Sequence, residues 1–185
     1  IKTFRRMNFP RILKKRKGYI DRIKPFMQKS VAKVLTGQRR VGKSFLLYQL
    51  IEEILAEEPD ANIIYVNLED FTFSSLQTAE DLHSYIISHS KEKVKNYIFI
   101  DEIQDIPGFE KVIRSLLLNE DNDIYITGNN AKMLSGELAT YLSGRYIEFK
   151  IYSLSYSEFL EFHGLTESET SYELYSRYGG LPYLL

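Results

Sequence analysis

The stretch that decides the fold reads VAKVLTGQRRVGKSFLL, from Val31 to Leu47. It opens with a short run rich in β-branched residues, which is typical of a buried strand. Its middle part, GQRRVGKS, matches the spacing G-x-x-x-x-G-K-[ST] at every fixed position. Apolar side chains then recur at helical spacing from Phe45 to Ala56. The order of strand, glycine-rich loop and helix predicts a phosphate-binding loop, with a chance match in a glycine turn as the alternative.

The chemistry of such a loop follows from its residue types. Glycines let the backbone curl so that successive N–H groups face one anion, and the next helix adds the positive end of its dipole. Lys43 is expected to reach the β- and γ-phosphates, and the Ser44 hydroxyl to bind Mg²⁺. The predicted binding residues are Gly37, Gln38, Arg39, Arg40, Val41, Gly42, Lys43, Ser44 and Phe45.

A second motif, YIFIDEIQ, covers residues 97–104. Four apolar residues lead to adjacent acids, Asp101 and Glu102, at the carboxyl end of a predicted strand, where open α/β sheets bind ligands. Two buried acids are costly unless they are paired or bound to metal. We therefore predict that Asp101 holds Mg²⁺ and that Glu102 polarises an attacking water. A solvated acid pair at a strand end is the alternative.

A third motif, YITGNN, ends another predicted strand at residues 125–130. A polar residue there can orient the water or touch the γ-phosphate, and the candidates are Thr127, Asn129 and Asn130, of which we favour Asn129. The alternative for each is a simple turn role. Asn67 ends the second strand near the same crevice, where it could restrain Glu102 or serve only in a turn.

Arg145 precedes the last predicted strand, in the segment LSGRY. Its guanidinium could reach a γ-phosphate in its own subunit or in a neighbouring one, and a surface ion pair is the alternative. Action across subunits requires an oligomer, which nothing in the sequence demands. The three histidines lack metal-ligand spacing and are interpreted as ordinary surface or boundary residues: His83, His89 and His163.

Strands and helices alternate along the chain. The predicted strands are 31–37, 62–68, 96–101, 123–128 and 146–151, and the predicted helices are 21–29, 45–56, 79–88, 107–118, 131–142 and two in the tail from Ser155. This alternation predicts an α/β fold with a parallel sheet covered on both faces. We divide the chain into a basic N-terminal helical segment (1–30), a core (31–152) and a short helical region (153–185).

Composition limits the function classes. The chain has 185 residues, 44% of them hydrophobic, a net charge of −1 and no cysteine, which excludes a disulfide framework, a thiolate zinc site and a cysteine nucleophile. No apolar run is long enough to span a bilayer, and the expected location is the cytoplasm. Residues 1–17 hold eight basic and no acidic side chains. This basic arm could bind nucleic acid or an acidic protein, or form a solvated amphipathic helix whose Phe4, Ile12 and Leu13 pack on the body.

Taken together, the ordered motifs resemble a known family. The GxRRxGKS loop, FIDEIQ, ITGNN and LSGRY look like ATPases of the extended AAA+ class in archaea and bacteria, and most of all like the AAA_14 ATP-binding domain that a DUF4143 domain usually follows. IYSLSYSEFLEF (151–162) is similar to that family's segment after the core. RYGGLPYLL (177–185) resembles the glycine-x-proline lid motif of the related STAND NTPases.

The resemblance implies a three-layer P-loop core with strand order 5-1-4-3-2, followed by the beginning of a helical lid. It implies ATP or ADP and Mg²⁺ as ligands, Lys43 at the phosphates, Ser44 and Asp101 at the metal, Glu102 as base and Asn129 as sensor. It makes Arg145 a candidate arginine finger and Pro182 a neighbour of the adenine. The family normally continues into a large C-terminal region, so the lid and any effector domain are expected to be incomplete here and the base pocket to be open.

Four functions fit these observations. The first is an ATPase that uses Glu102 as base, acting as motor or switch for a C-terminal region. The second is a nucleotide-dependent switch with little turnover. The third is a small-molecule kinase, which shares the phosphate loop but rarely has the DE pair at this strand end. The fourth is a nucleic-acid module acting through the basic arm.

Overall fold

The computed structural model describes residues 14–129, 140–142 and 144–182. In these residues the strands are β1 (Ala32–Gly37), β2 (Asn62–Asn67), β3 (Asn96–Asp101), β4 (Asn122–Gly128) and β5 (Tyr146–Ile151). The helices are α1 (Lys17–Ile23), α2 (Lys43–Glu57), α3 (Ala79–His89), α4 (Phe109–Leu116), α5 (Tyr156–His163) and α6 (Glu169–Tyr178). Single turns of 3₁₀ helix lie at Lys24–Phe26, Phe71–Phe73 and Ile103–Asp105.

The five strands form one parallel sheet in the order β2-β3-β4-β1-β5. This is the predicted order 5-1-4-3-2, which is confirmed together with the α/β class. In the register, Asp101 at the end of β3 lies beside Asn67, and Gly37 at the end of β1 lies beside Ile151. The carboxyl ends of all strands therefore share one edge of the sheet, which places the phosphate loop and the acidic pair on the same side.

Side chains that alternate along the strands build a separate core on each face of the sheet. On one face Ile98 and Ile100 of β3 pack with apolar side chains of α3 and α4, such as Leu82 and Ile113. On the other face Tyr97 and Phe99 pack with α1 and α2. The molecule therefore has three layers, and α2 begins at the edge of the sheet where the phosphate loop lies.

Several predicted boundaries were wrong by a few residues. The first helix begins at Lys17 rather than near Asp21, and it passes into a 3₁₀ turn that contains Pro25. Helix α4 begins at Phe109, because Gly108 before it adopts a left-handed backbone with φ of 74°. Of the helix predicted at 131–142, residues 131–139 lie outside the described part.

After β5 the chain turns into two short helices, α5 and α6, each of which starts with a capping box, at Ser155 and Ser168. Gly180 returns to the start of this region, where its carbonyl accepts a hydrogen bond of 2.6 Å from the Leu154 N–H. A Cβ at position 180 would lie 2.1 Å from the Leu154 carbonyl oxygen, so only glycine fits. The domain limits at 30/31 and 152/153 stay a prediction. Among the described helices, none is long and apolar enough to cross a membrane.

Candidate functional site

The phosphate loop connects β1 to α2 and depends on unusual backbone angles. Arg40 and Gly42 have positive φ values of 69° and 95°, and Gly42 is the residue before the first turn of α2. A Cβ on Gly37 would lie 2.4 Å from the Ile151 carbonyl oxygen of β5. The two glycines of the motif therefore serve different purposes, since Gly37 allows close packing of the strands and Gly42 allows the turn into the helix.

Lys43 is buried at the start of α2, although it carries a charge. Its ammonium donates to the carbonyl oxygens of Gly37 at 3.3 Å and Gln38 at 3.2 Å, and it lies 3.5 Å from a carboxylate oxygen of Glu102. These contacts are long for charge-assisted hydrogen bonds, which are usually about 2.7–2.9 Å. The lysine is therefore held over the loop without a close partner of its own.

Asp101 is buried at the end of β3, with 1% of its surface exposed. Burial raises the pKa of the Asp101 carboxyl above its usual value, although hydrogen bonds from Ser44 and Thr127 oppose that shift. The Tyr65 hydroxyl donates to the Oδ2 atom of Asp101 at 3.2 Å. The structure thus joins the two predicted metal-binding residues, Ser44 and Asp101, through their side-chain oxygens.

Glu102 has a left-handed backbone, with φ of 55°, and is 7% exposed. Its N–H donates to the Thr127 hydroxyl at 2.9 Å. Its carboxylate accepts a hydrogen bond of 2.6 Å from the Gln104 side-chain amide. A non-glycine residue in this conformation is strained and is often found at functional sites. The backbone turn directs the two neighbouring acids to different partners.

Sequence reasoning missed Gln104 and undervalued Thr127. The Thr127 hydroxyl donates to Asp101 and accepts from the Glu102 N–H, so it links both acids. The side-chain amide oxygen of Gln104 accepts from the Asn129 N–H at 3.3 Å, which places the favoured Asn129, through its backbone, beside the turn at residues 101–104. Gln104 stands two residues after the DE pair in the motif YIFIDEIQ, and this position is the signal that could have identified it. Asn130 lies outside the described residues.

The second strand end makes local contacts. The Asn67 side chain accepts a hydrogen bond of 3.0 Å from the Glu69 N–H, which is the turn role left open by the sequence. Glu69 pairs with Arg39 of the phosphate loop at 2.5 Å, and both side chains are exposed. Gln104, and not Asn67, is therefore the amide that contacts Glu102.

A cavity of about 240 Å³ lies beside the phosphate loop. Its walls include three residues of the predicted binding set, Val41, Gly42 and Phe45, and also Pro182. The remaining wall residues were not among the predicted binding residues: Lys14, Arg16, Gln49 and Phe162. The segment before α1 and the end of α5 thus supply walls for this space, and the expectation of an open base pocket stays a prediction.

The last residues of the basic arm contact other residues of the same chain. Lys14 donates to the carbonyl oxygens of Glu161 and Phe162, Lys15 pairs with Glu53 at 2.6 Å, and Arg16 pairs with Glu158. These three basic residues are therefore held by the body. Residues 1–13, including the predicted packing residues Phe4, Ile12 and Leu13, lie outside the described part.

Arg145 lies at the opposite edge of the sheet from the phosphate loop. Its carbonyl accepts from the Ala32 N–H at 3.0 Å, and Tyr146 pairs with Ala32 at the amino end of β1. The length of β1, roughly 17 Å, separates this position from Gly37. The expectation that Arg145 could reach the γ-phosphate of its own subunit is therefore wrong. Because strands β1 and β5 are parallel, their shared register keeps this residue away from the loop.

Two oxygen ligands for a hard cation lie at this edge of the sheet. Ser44 and Asp101 provide one hydroxyl and one buried carboxylate, a donor type that Mg²⁺ prefers when phosphate oxygens and water complete its shell. In the described ranges there is no group of three or more histidine, cysteine or acidic residues that could hold a metal by themselves. The arrangement fits a metal shared with a phosphate ligand.

Together the fold and this edge of the sheet define an AAA+-type P-loop domain, a nucleotide-binding and ATPase-like module. The family model AAA_14, described as an AAA domain, matches residues 29–160. The chain belongs to this family.

The chain resembles an uncharacterized protein of Haemophilus influenzae, with 40% identity over 178 residues. That alignment covers 90% of this chain but only 43% of the relative, so the chain spans less than half of that protein's length. Among solved structures, Cdc6p of Pyrobaculum aerophilum matches with a TM-score of 0.56 and 12% identity, covering 88% of this chain and 52% of that one. Orc1 of Aeropyrum pernix, solved in complex with DNA, matches with a TM-score of 0.60 and 14% identity, covering 89% and 51%. These two likenesses concern the fold.

Proposed function

We propose that the protein binds ATP with Mg²⁺ at the phosphate loop and hydrolyses it to ADP and phosphate. The observation that carries this proposal is the convergence of Lys43, Asp101 and Glu102 at one edge of the sheet, where Lys43 and Glu102 lie 3.5 Å apart. Lys43 comes from the start of α2 and the two acids from the end of β3, and all three side chains are buried. A phosphate group that displaces the Lys43–Glu102 contact would receive positive charge from Lys43 and face Glu102 as a base.

Each residue has a role in this proposal. The backbone of residues 37–44 and the amino end of α2 bind the phosphates, and Lys43 exchanges its long carbonyl contacts for a phosphate oxygen. Ser44 and Asp101 would hold Mg²⁺, which neutralises charge on the β- and γ-phosphate oxygens when it is bound. Glu102 accepts the proton of the attacking water, and Asn129 is the candidate sensor beside it. The cavity next to Val41 and Pro182 takes the nucleoside.

A second candidate function is a nucleotide-dependent switch with little turnover. The observation in its favour is that the Glu102 carboxylate already accepts a hydrogen bond of 2.6 Å from Gln104 and faces Lys43. Each oxygen of this carboxylate thus has a partner with which an attacking water must compete. Turnover then depends on how readily these contacts are exchanged, and a slow exchange gives a protein that holds nucleotide for a long time.

The test compares Glu102→Gln with the parent protein. Glutamine keeps the size and hydrogen-bonding capacity of the residue but removes the base, so ATP should still bind. Phosphate release should fall about 10²-fold or more, the usual scale for a general base. Asp105→Asn is the matched control, because it makes the same kind of change at an exposed position three residues on.

Binding is followed by calorimetry and turnover by phosphate release, each with MgATP. Equal turnover in the parent and the Glu102→Gln protein would remove Glu102 from the mechanism. Very low turnover in the parent, together with tight ATP binding, would select the switch. Loss of activity in the Asp105→Asn control would show that any change in this turn acts through the fold.

The role of the whole protein is a proposal of its own, because the chain spans less than half of its Haemophilus relative. We propose that the ATPase drives or switches a C-terminal region, of the DUF4143 type according to the sequence resemblance. Nucleic-acid binding by the basic arm is a further prediction that rests on residues 1–13. It predicts that affinity for DNA falls steeply with salt and is lost when those residues are removed.

A further inference from the structure

Arg16 is a buried cation that the proposed hydrolysis reaction does not use. It lies immediately before α1, and 4% of its surface is exposed. A buried charge is costly unless it is paired and hydrogen-bonded. Arg16 meets this requirement with partners on two different sides, and these two sides are the phosphate loop and the helical region after β5.

On the loop side, the Arg16 guanidinium donates to the Val41 carbonyl oxygen at 3.2 Å. Val41 lies in the middle of the phosphate loop and also lines the cavity beside it. The guanidinium carbon lies 4.5 Å from the centre of the Tyr19 ring, a cation–π distance that holds the side chain against α1. The charge is therefore fixed next to the backbone that would bind phosphate.

On the other side, Arg16 forms a bidentate pair with Glu158 of α5, with both N–O distances at 2.9 Å. It also donates to the Tyr152 carbonyl oxygen between β5 and α5, again at 2.9 Å. The fork geometry of this pair fixes orientation as well as distance. Hydrogen bonds from Arg16 and from the Ser155 N–H lower the pKa of the Glu158 carboxyl, although burial acts in the opposite direction.

The backbone of the same segment is also fixed. The Gln49 side chain of α2 accepts from the Arg16 N–H and donates to the Lys14 carbonyl oxygen, both at 2.9 Å. Lys14 in turn donates to the last carbonyl oxygens of α5, including that of Phe162, a wall residue of the cavity. Residues 14–16 therefore connect α2 to α5 beside the cavity.

We propose that Arg16 is a positioning residue that links the phosphate loop to helix α5, so that the affinity for a nucleoside depends on the Arg16–Glu158 pair. The proposal rests on the proposed function, since it assumes a nucleotide with its phosphates in the loop and its nucleoside in the cavity. A ligand that occupies only the loop does not require α5. Cutting the link on the α5 side should then weaken binding of the nucleotide but not of a bare phosphate chain.

The test uses two probes, MgATP and Mg²⁺ with inorganic tripolyphosphate, and the variant Glu158→Gln. Glutamine keeps an acceptor for the Ser155 N–H but loses the charged fork. Glu161→Gln is the matched control, because it makes the same change at an exposed position of the same helix. We expect ATP affinity to fall about tenfold in Glu158→Gln, the scale of a charge-assisted contact, with tripolyphosphate affinity within about twofold of the parent. The control should match the parent for both probes.

A second variant, Arg16→Lys, keeps the charge but cannot form a bidentate pair. It should show the same selective loss, with a circular dichroism melt confirming that each variant is folded. Equal losses for both probes, or no loss for either, would overturn the proposal. Lys43→Met tests the phosphate site separately from Arg16, because it should weaken the binding of both probes. If Lys43→Met leaves both affinities unchanged, the proposed phosphate site fails independently of Arg16.

Discussion

The two edges of the sheet carry similar charged residues in very different surroundings. At the amino edge, Lys33 of β1 pairs with Asp123 of β4, and both side chains are fully buried. At the carboxyl edge, Lys43 faces Glu102 at 3.5 Å, and both are almost as deeply buried. Each edge thus joins a lysine to an acid, yet only one edge resembles a site.

At the amino edge both charged groups of the Lys33–Asp123 pair have close partners. Asp123 accepts from the Lys33 ammonium, from the Gln28 N–H at 2.8 Å and from the Tyr125 hydroxyl at 2.8 Å. Lys33 donates in addition to the Val31 carbonyl oxygen at 2.9 Å. Burial lowers the pKa of Lys33, although the charge of Asp123 opposes the shift. Because other groups of the protein already satisfy both charges of this pair, the pair leaves no role for a ligand.

At the carboxyl edge the contacts of Lys43 are longer and are shared among three groups. Lys43 donates to two backbone carbonyl oxygens at 3.2 and 3.3 Å, which a phosphate oxygen can replace. Glu102 stands on a strained backbone, and burial raises the pKa of Asp101. The comparison teaches that burial of charge does not identify a site. A buried charge with incomplete contacts, such as that of Lys43, does, because a ligand can then improve those contacts.

The largest expected effect tests the prediction that Arg145, at the amino edge, acts as an arginine finger on a neighbouring subunit. Arg145→Ala should lower ATP hydrolysis about 10³-fold, the contribution of an arginine finger. Mixing this variant with Lys43→Ala, which lacks a working loop, should restore activity, because one interface then combines an intact loop with an intact arginine.

Phosphate release from the mixture, compared with each variant alone, measures this rescue. Since the register excludes action within one subunit, a loss without rescue would make Arg145 structural. If Arg145→Ala does not reduce ATP hydrolysis, Arg145 is not an arginine finger, and the amino edge contributes only to stability.

The next largest effect concerns Lys33 at the amino edge. Lys33→Met should lower the free energy of unfolding by about 3 kcal/mol, because it leaves Asp123 as a buried charge without its cation. Urea denaturation monitored by circular dichroism measures the change, and the exposed Lys29→Met serves as control. Adding Asp123→Asn to the variant should recover part of the loss. A stability equal to that of the parent would mean that the two edges differ less than their contacts suggest.

The same substitution at the carboxyl edge should act on binding instead. Lys43→Met should lower ATP affinity at least roughly tenfold, because the charge facing the phosphates is lost. Its free energy of unfolding should change little, since the lysine makes only long contacts. Calorimetry and denaturation of the Lys33 and Lys43 variants together form the test. Reversed effects, with binding lost in the folded Lys33 variant and stability lost in the Lys43 variant, would contradict the comparison.

The smallest expected effect concerns the turn at residues 101–104, which carries the two acids. Gln104→Ala removes the donor that orients Glu102, and hydrolysis should fall roughly fivefold, the scale of one hydrogen bond, with ATP affinity unchanged. Gln104→Glu places a second carboxylate beside Glu102 and should reduce the rate further. Steady-state kinetics with the Asp105→Asn control distinguishes these outcomes. An increase in rate for Gln104→Ala would instead indicate that Gln104 restrains the base.

Local sequence determined the elements of the fold and the main residues of the site. The loop spacing at 37–44 requires glycine at two defined positions, and the DE pair follows an apolar strand, so both could be read without knowing the structure. These features depend on backbone conformation and on residues near one another in the chain, and the errors in the helix boundaries lay at helix ends such as Asp21 and Pro107.

Tertiary structure decided the contacts between distant segments. Thr127 reaches the acids because β4 lies next to β3, and Arg145 is distant from the loop because β5 is parallel to β1. Arg16 meets Val41 and Glu158 only after the chain has folded, since 142 residues separate the two ion-pair partners. The sequence by itself therefore determined which groups can bind a phosphate. Only the packing of the sheet and of the terminal segments decided which of them meet, because periodicity and spacing contain no information on contacts across the fold.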